Sequence, residues 1–384
     1  MSKTLKQFVF YAGTIFIAVS CGGQQKAILV DGPLEPKKFE AEIDGKKTAL
    51  YTMRNASGME VSITNFGGRI VAINVPDKKG QLRDVVLGFD SIGAYLPEVN
   101  QSDFGAAIGR YANRINKGHL NIDGQNYQLP QNNFGHCLHG GPTGWQYKVY
   151  DVKKVSDDSI VLTIVSPDGD NNFPGTVTAE VSYTLRPDNS LAIAYKATTD
   201  KPTVINMTNH SYFNLNGDPA IPITNNKLYI NADNFTLVDT TFMTTGVIEP
   251  VEGSPMDFTK ARVISETIDE VSYDQIKNGD GYNHNWVLST EGRLDIEAAK
   301  VVSPLTGISL TVYTDEPGLQ VYTANFLDGT ITGKYGKVYK QRSGICLETQ
   351  HYPDAPNKSD WPSTLLRPGE TYTSNCIYKF GVEK

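Results

Sequence analysis

The 384-residue sequence predicts an all-β protein, and three observations carry the prediction. From Thr176 to Arg186 the chain alternates strictly, with Val177, Ala179, Val181, Tyr183 and Leu185 on one face and Thr176, Thr178, Glu180, Ser182 and Thr184 on the other. That period of two marks a half-buried strand. Pro187-Asp188-Asn189 then reads as a turn, and Leu191, Ile193 and Tyr195 resume the alternation, which makes a hairpin with one wet face. The composition agrees: 35 Gly and 20 Tyr suit many strands joined by tight turns.

Taken in chain order, the first element is a targeting segment. Lys3 and Lys6 form a short positive region, and Phe8 to Val19 is mostly apolar. Ala18-Val19-Ser20-Cys21 resembles a bacterial lipobox, so residues 1–20 are expected to be a signal peptide cleaved before a lipid-bearing Cys21. Ala18 stands where Leu is commoner, which keeps ordinary cleavage and secretion as the alternative. The apolar run is shorter than the roughly 18 residues a membrane span needs. The expected location is the bacterial cell envelope, as a periplasmic or outer-membrane lipoprotein held to the membrane only by that lipid. Residues 21–38, polar and Pro-containing, read as a tether.

From about Phe39 to the end, strand signals dominate. Asp44-Gly45 and Asp123-Gly124 sit between short alternating runs and read as hairpin turns. Ser159 to Val165 reads as a near-continuous apolar strand, whereas Asp90–Leu96 and Ser265–Val271 supply at most a turn or two of helix. No repeat at a solenoid or propeller period is visible. Residues 39–384 are therefore expected to form one large domain of sheets packed face to face, since all-β folds often run long as single units.

Charge and cysteine usage exclude several functions. The formal net charge is −7 and no run of five basic residues occurs, which argues against nucleic acid as a partner. Cys137, Cys346 and Cys376 are odd in number and unpatterned, so no disulfide framework follows. His136-Cys137-x-His139 lacks a second ligand pair, and no metal is expected there. Phosphate is disfavoured because no Gly-rich loop leads into a Lys-bearing helix.

The chemistry resides in two segments. Thr208-Asn209-His210-Ser211-Tyr212-Phe213-Asn214-Leu215 offers a histidine, and Leu347-Glu348-Thr349-Gln350-His351-Tyr352-Pro353-Asp354 a carboxylate. Together they can place one proton on an oxygen while removing another nearby. Either residue alone is more often structural. Their company shifts the balance: Leu138-His139-Gly140-Gly141, Asn113 and Arg114 within Gly109–Ile115, Gly281-Tyr282-Asn283-His284-Asn285-Trp286, and Gln320 within Gly318–Thr323. An arginine among apolar neighbours is either a structural clamp or a fork of donors for a polyol. Amides, Arg, His and aromatic rings are what an uncharged sugar demands.

With those blocks in order along residues 40–380, and with Asn65-Phe66-Gly67-Gly68 leading to Val85-Val86-Leu87-Gly88-Phe89, the chain resembles the aldose 1-epimerase (galactose mutarotase) family. The resemblance implies a single-domain β-supersandwich with an open sugar cleft and no cofactor. It implies interconversion of the α and β anomers of free hexoses such as glucose and galactose. On matching positions, Glu348 is the general base at the anomeric hydroxyl and His210 the general acid at the ring oxygen. They are expected to face each other across the pyranose, Glu348 ionised and His210 protonated or donating. Arg114, Asn113, His139, Asn283 and Gln320 are the implied substrate-binding residues.

One position departs from the family pattern, which has Asp where this chain has Asn283. An amide can still accept through its carbonyl but loses charge-assisted strength. Asp280 is the nearest carboxylate along the chain. The departure leaves open a non-catalytic carbohydrate-binding protein on the same scaffold. A glycosidase is the more distant alternative, because that chemistry usually needs two carboxylates. The oligomeric state is not legible.

Overall fold

The computed structural model describes residues 28–383. The expected signal peptide, Cys21 and the first part of the expected tether lie outside the described residues. Among the described residues, no helix is long and apolar enough to cross a membrane. The stretch 28–38 lies against the body: Leu29 bridges Leu82, Asp31 pairs with Lys337 at 2.8 Å, and Phe39 is fully buried. A free spacer would therefore be shorter than residues 21–38.

The architecture is almost entirely β, as the sequence predicts. A nine-stranded antiparallel sheet includes Ser159–Ser166, Val177–Leu185, Ser190–Thr199 and Tyr372–Val382. A six-stranded sheet and a four-stranded sheet accompany it. Apolar side chains from all three merge into one core, with Val181 and Ile193 from the first, Val321 and Leu347 from the second, and Val61 and Ile73 from the third. Fully burying a side chain such as Leu347 is worth about 1.5–3 kcal/mol. The Tyr378 hydroxyl donates to the Leu347 carbonyl at 2.8 Å, pinning the nine-stranded sheet to the back of the six-stranded one.

Local chemistry explains the hairpins. Ala41–Ile43 pairs with Lys46–Thr48, and His119–Ile122 with Gln125–Gln128. Their turn residues Asp44-Gly45 and Asp123-Gly124 all take positive φ, which matches the right-handed strand twist and suits Asp and Gly. The strand at Ser159–Ser166 differs from its expectation. Ile160, Leu162 and Ile164 are buried while Val165 is 59 % exposed, so it alternates as one face of a half-wet sheet. The two weak helical segments are 3-10 turns, Ile92–Tyr95 and Ile264–Glu266. The α-helix Asp274–Gly279 is too short to leave a legible period.

Candidate active site

The six-stranded sheet makes the floor. Within it Tyr212–Phe213, Ile345–Gln350, Gly318–Tyr322 and Asn283–Val287 are successive neighbours. The register aligns Tyr212, Cys346, Tyr322 and Asn283 in one row, and Glu348, Gln320 and Asn285 in the next. Side chains alternate faces along a strand, and cross-strand partners share one. The alternate residues Leu347, Val321, Leu319 and Trp286 are all fully buried in the core. Alternation in Ile-Cys-Leu-Glu-Thr-Gln thus delivers Glu348 to the polar face.

A cleft of about 300 Å³ opens on that face, lined by Asp103, Asn113, Arg114, His139, His210 and Glu348, with rings of Phe134, Tyr212, Tyr322 and Phe326 around them. The volume is at the small end of the roughly 300–1,000 Å³ usual for ligand sites, which suits a single sugar ring. Phe134 and Phe326 are 60 % and 51 % exposed and each meets Phe242 edge-on at 5.3 and 5.2 Å. They form an apolar rim for the C–H surface of a ring.

His210 Nε2 lies 3.6 Å from Glu348 Oε1, both side chains buried. That spacing corrects the expectation of a pair facing across a pyranose, because no ring fits between them. They stand side by side, which suits a target whose two reacting oxygens share one carbon. His210 is held by backbone bonds, its N–H donating to the Ala106 carbonyl and its carbonyl accepting from Gly105, each at 2.9 Å. Its ring stacks on Tyr212 at 5.1 Å, and Cys346 Sγ lies 3.5 Å from Nδ1. With Nδ1–H donating on that side, the Nε2 lone pair is left facing Glu348.

Electrostatics also revise the expected charge pattern. Burial drives the His210 pKa down to about 4. Burial, with Asp103 nearby, holds Glu348 well above the usual carboxylate range, opposed by the Arg114 charge. Both shifts favour neutral forms, so the two groups hold one proton between them and its position is a property of the pair. Burial and the Glu348 charge act oppositely on Arg114, whose pKa is lowered to about 10; it remains a cation.

The arginine alternatives resolve cleanly. Arg110 is a structural clamp, donating to Ser166 O, Pro167 O and Pro174 O. Arg114 faces the cleft, steadied by Asn133 Oδ1 at 2.7 Å. Asn113 turns its Oδ1 to the Arg114 N–H, leaving its NH₂ as a free donor. The Asn113 N–H donates to His139 Nδ1 at 3.1 Å, so His139 carries its proton on Nε2. Gln320 does not line the cleft: it is buried behind Asn283 and donates to Asn283 Oδ1 at 2.9 Å. This corrects two expectations, since Gln320 positions rather than binds, and one of the two lone pairs of the Asn283 carbonyl is already engaged. What Asn283 offers a ligand is its NH₂. Asp280 is exposed at the end of the helix Asp274–Gly279 and does not line the cleft.

Two donor sets resemble metal ligands, Asp103 with His139 and His210, and His210 with Cys346 and Glu348. Neither suits an ion. His139 Nδ1 is taken by a backbone N–H and Nε2 keeps its proton, while burial holds the Cys346 thiol well above its usual pKa. His136 accepts from Lys117 N and meets Thr241 Oγ1 instead, and burial pushes Cys137 up to about 12. The described cysteines are free.

Sequence reasoning missed Asp103, Asn133, Phe134, Phe242 and Phe326, which lie in loops with no period to reveal them. Phe134 and Phe242 even take positive φ, rare for bulky residues and frequent near functional sites.

An acid–base pair able to reach two oxygens on one carbon is the equipment of a carbohydrate isomerase that opens and closes a sugar ring. The chain belongs to the aldose 1-epimerase family, which it matches over residues 49–379. It is 42 % identical over 324 residues to a galactose mutarotase of Rattus norvegicus, covering 84 % of this chain and 92 % of that one. An aldose 1-epimerase of Escherichia coli (strain K12) is 36 % identical over 342 residues, covering 88 % and 97 %. Among solved structures, an aldose epimerase homologue from C. elegans superposes with a TM-score of 0.79 at 30 % identity, covering 88 % and 100 %. A galactose 1-epimerase from Lactobacillus acidophilus does so at 0.78 and 27 %, covering 90 % and 98 %. Asp103 brings into the cleft the second carboxylate that a glycosidase would need; it is the family that separates the two chemistries.

Proposed function

We infer that the enzyme interconverts the α and β anomers of free aldohexoses, glucose or galactose among them, with Glu348 as general base and His210 as general acid. In the form with the shared proton on His210 Nε2, the ionised Glu348 takes the proton of the anomeric hydroxyl. The bond from C1 to the ring oxygen breaks as C1=O forms, and its electron pair leaves with the ring oxygen, which is protonated from His210 Nε2. Rotation about C1–C2 presents the other aldehyde face, and closure runs the two transfers backward. Nothing is oxidised or reduced, and the pair ends with the one proton it began with. Arg114, the NH₂ groups of Asn113 and Asn283, and His139 Nε2–H supply donors for the sugar oxygens, and Gln320 holds Asn283 in place.

The observation that carries this reading is the 3.6 Å approach of two buried titratable groups at the floor of a monosaccharide-sized cleft. Polarimetry of freshly dissolved α-glucose and α-galactose tests it. A carbohydrate-binding protein without catalysis would bind either sugar and leave the rotation rate at that of buffer.

We also propose display at the cell envelope through lipid on Cys21. Lys3, Lys6, the apolar run Phe8 to Val19 and Ala18-Val19-Ser20-Cys21 support it. Cys21→Ser should move the protein from the membrane fraction; unchanged fractionation would contradict it.

A further inference from the structure

We propose that Asp103 is a substrate-binding residue, accepting a hydrogen bond from a sugar hydroxyl that at the same time accepts one from His139 Nε2–H. This deepens, and rests on, the reading of the cleft as a sugar site.

A carboxylate oxygen of Asp103, a ring nitrogen of His139 and a ring nitrogen of His210 all lie within 4.8 Å of one another and line the cleft. No hydrogen bond joins Asp103 to either imidazole, and Asp103 Oδ1 is buried without a partner. Two polar atoms at such a separation can both reach one oxygen placed between them at roughly 2.7–3.0 Å. A hydroxyl is the group that donates to one and accepts from the other.

The carboxylate is held there by construction. Arg69 is fully buried and donates to the carbonyls on either side of Asp103, Ser102 O at 3.1 Å and Phe104 O at 2.9 Å. Its charge is also a nearby counterion for Asp103. Gly105 then turns with φ +69 against the Ile70 carbonyl, where no side chain fits.

Among the described residues lining the cleft, Asp103 and Glu348 are the two carboxylates. Arg114, Asn113, Asn283 and His139 all present N–H groups, and the Asn113 and Asn283 carbonyls each already accept one hydrogen bond. A sugar has as many O–H donors as oxygens bearing them, and Glu348 can receive only at the reacting carbon. The register places Asn283 at the far end of the floor from Tyr212, while Asp103 stands by His210, through Gly105 and Ala106. The charged acceptor that Asn283 does not provide is therefore supplied from the other end, and a different hydroxyl is read.

The test compares the wild type with Asp103→Ala and the isosteric Asp103→Asn on galactose, glucose and their 2-, 3-, 4- and 6-deoxy analogues. Wild type should reject one analogue strongly. Asp103→Ala should raise KM about 10–100-fold with a smaller fall in kcat, as expected for losing a charge-assisted bond, and should no longer penalise that analogue. Asp103→Asn keeps a carbonyl acceptor and should fall between. Calorimetric titration with methyl α-galactoside, which cannot mutarotate, reads the same loss as binding alone. If wild type binds the glycoside but does not accelerate mutarotation, the function reading fails while Asp103 is still tested. Unchanged KM and deoxy penalties in both variants would overturn the proposal, as would a fall confined to kcat, which would mean that Asp103 works through His210.

Discussion

Replacing Glu348 by Gln removes the proton acceptor and changes almost nothing else. The side chain is 2 % exposed, its Oε2 has no partner, and neither has Oε1 of its cross-strand neighbour Gln320. The new amide has the same shape and can donate toward that idle carbonyl, so the thermal midpoint should hold or rise. A buried carboxyl with a raised pKa costs the fold something that an amide does not. Catalysis should suffer in full, because an amide cannot take the anomeric proton. A positioned general base contributes about 10²–10⁴-fold, or roughly 2.7–5.4 kcal/mol of barrier at 1.36 kcal/mol per decade. Polarimetry on α-galactose, corrected for the spontaneous rate, should show that fall in kcat, with KM moving much less. A well-folded Glu348→Gln enzyme within threefold of wild type would refute the assignment and the proton balance built on it.

The pH profile of kcat/KM should have two limbs. Asp103, raised to about 6 by burial against the pull of Arg69, gains a proton as pH falls through that value and loses its charge-assisted bond to the sugar, so the acid limb lies near 6. Arg69, His139, His210 and Glu348 face it, and in Asp103→Asn the limb should retreat toward the His210 value of about 4; no shift would oppose the argument. The alkaline limb marks loss of the proton shared by Glu348 and His210, and a flat profile to high pH would contradict that sharing. Gly109→Ala would place a methyl inside the Trp145 ring, costing about 1–3 kcal/mol or more, seen as a lower urea midpoint. Phe326→Ala should raise KM roughly three- to tenfold by removing an exposed face of the rim, with kcat nearly unchanged; equal loss in both would place Phe326 in the chemistry instead.

Much of the framework was legible because it is local. Alternation at Val177–Leu185 and the turns at Asp44-Gly45 and Asp123-Gly124 follow from backbone sterics and side-chain direction within a few residues. The blocks around His210 and Glu348 stood out because polar and aromatic residues interrupt an otherwise apolar period. The α-helix Asp274–Gly279 escaped because six residues are too few to show a 3.6-residue repeat. Gln320 misled for a related reason: a strand residue's face is visible in sequence, but not whether a neighbour stands in front of it.

The sequence by itself determined the all-β class and the family, and it singled out Glu348 and His210 as the candidate acid–base pair. Only the tertiary structure decided that they stand side by side, that the Asn283 carbonyl is already engaged, and that Asp103 faces the same cleft. Such facts are long-range. Hydrogen-bond allocation and desolvation depend on which strands become neighbours and which loops fold over them. No short window of sequence carries those quantities.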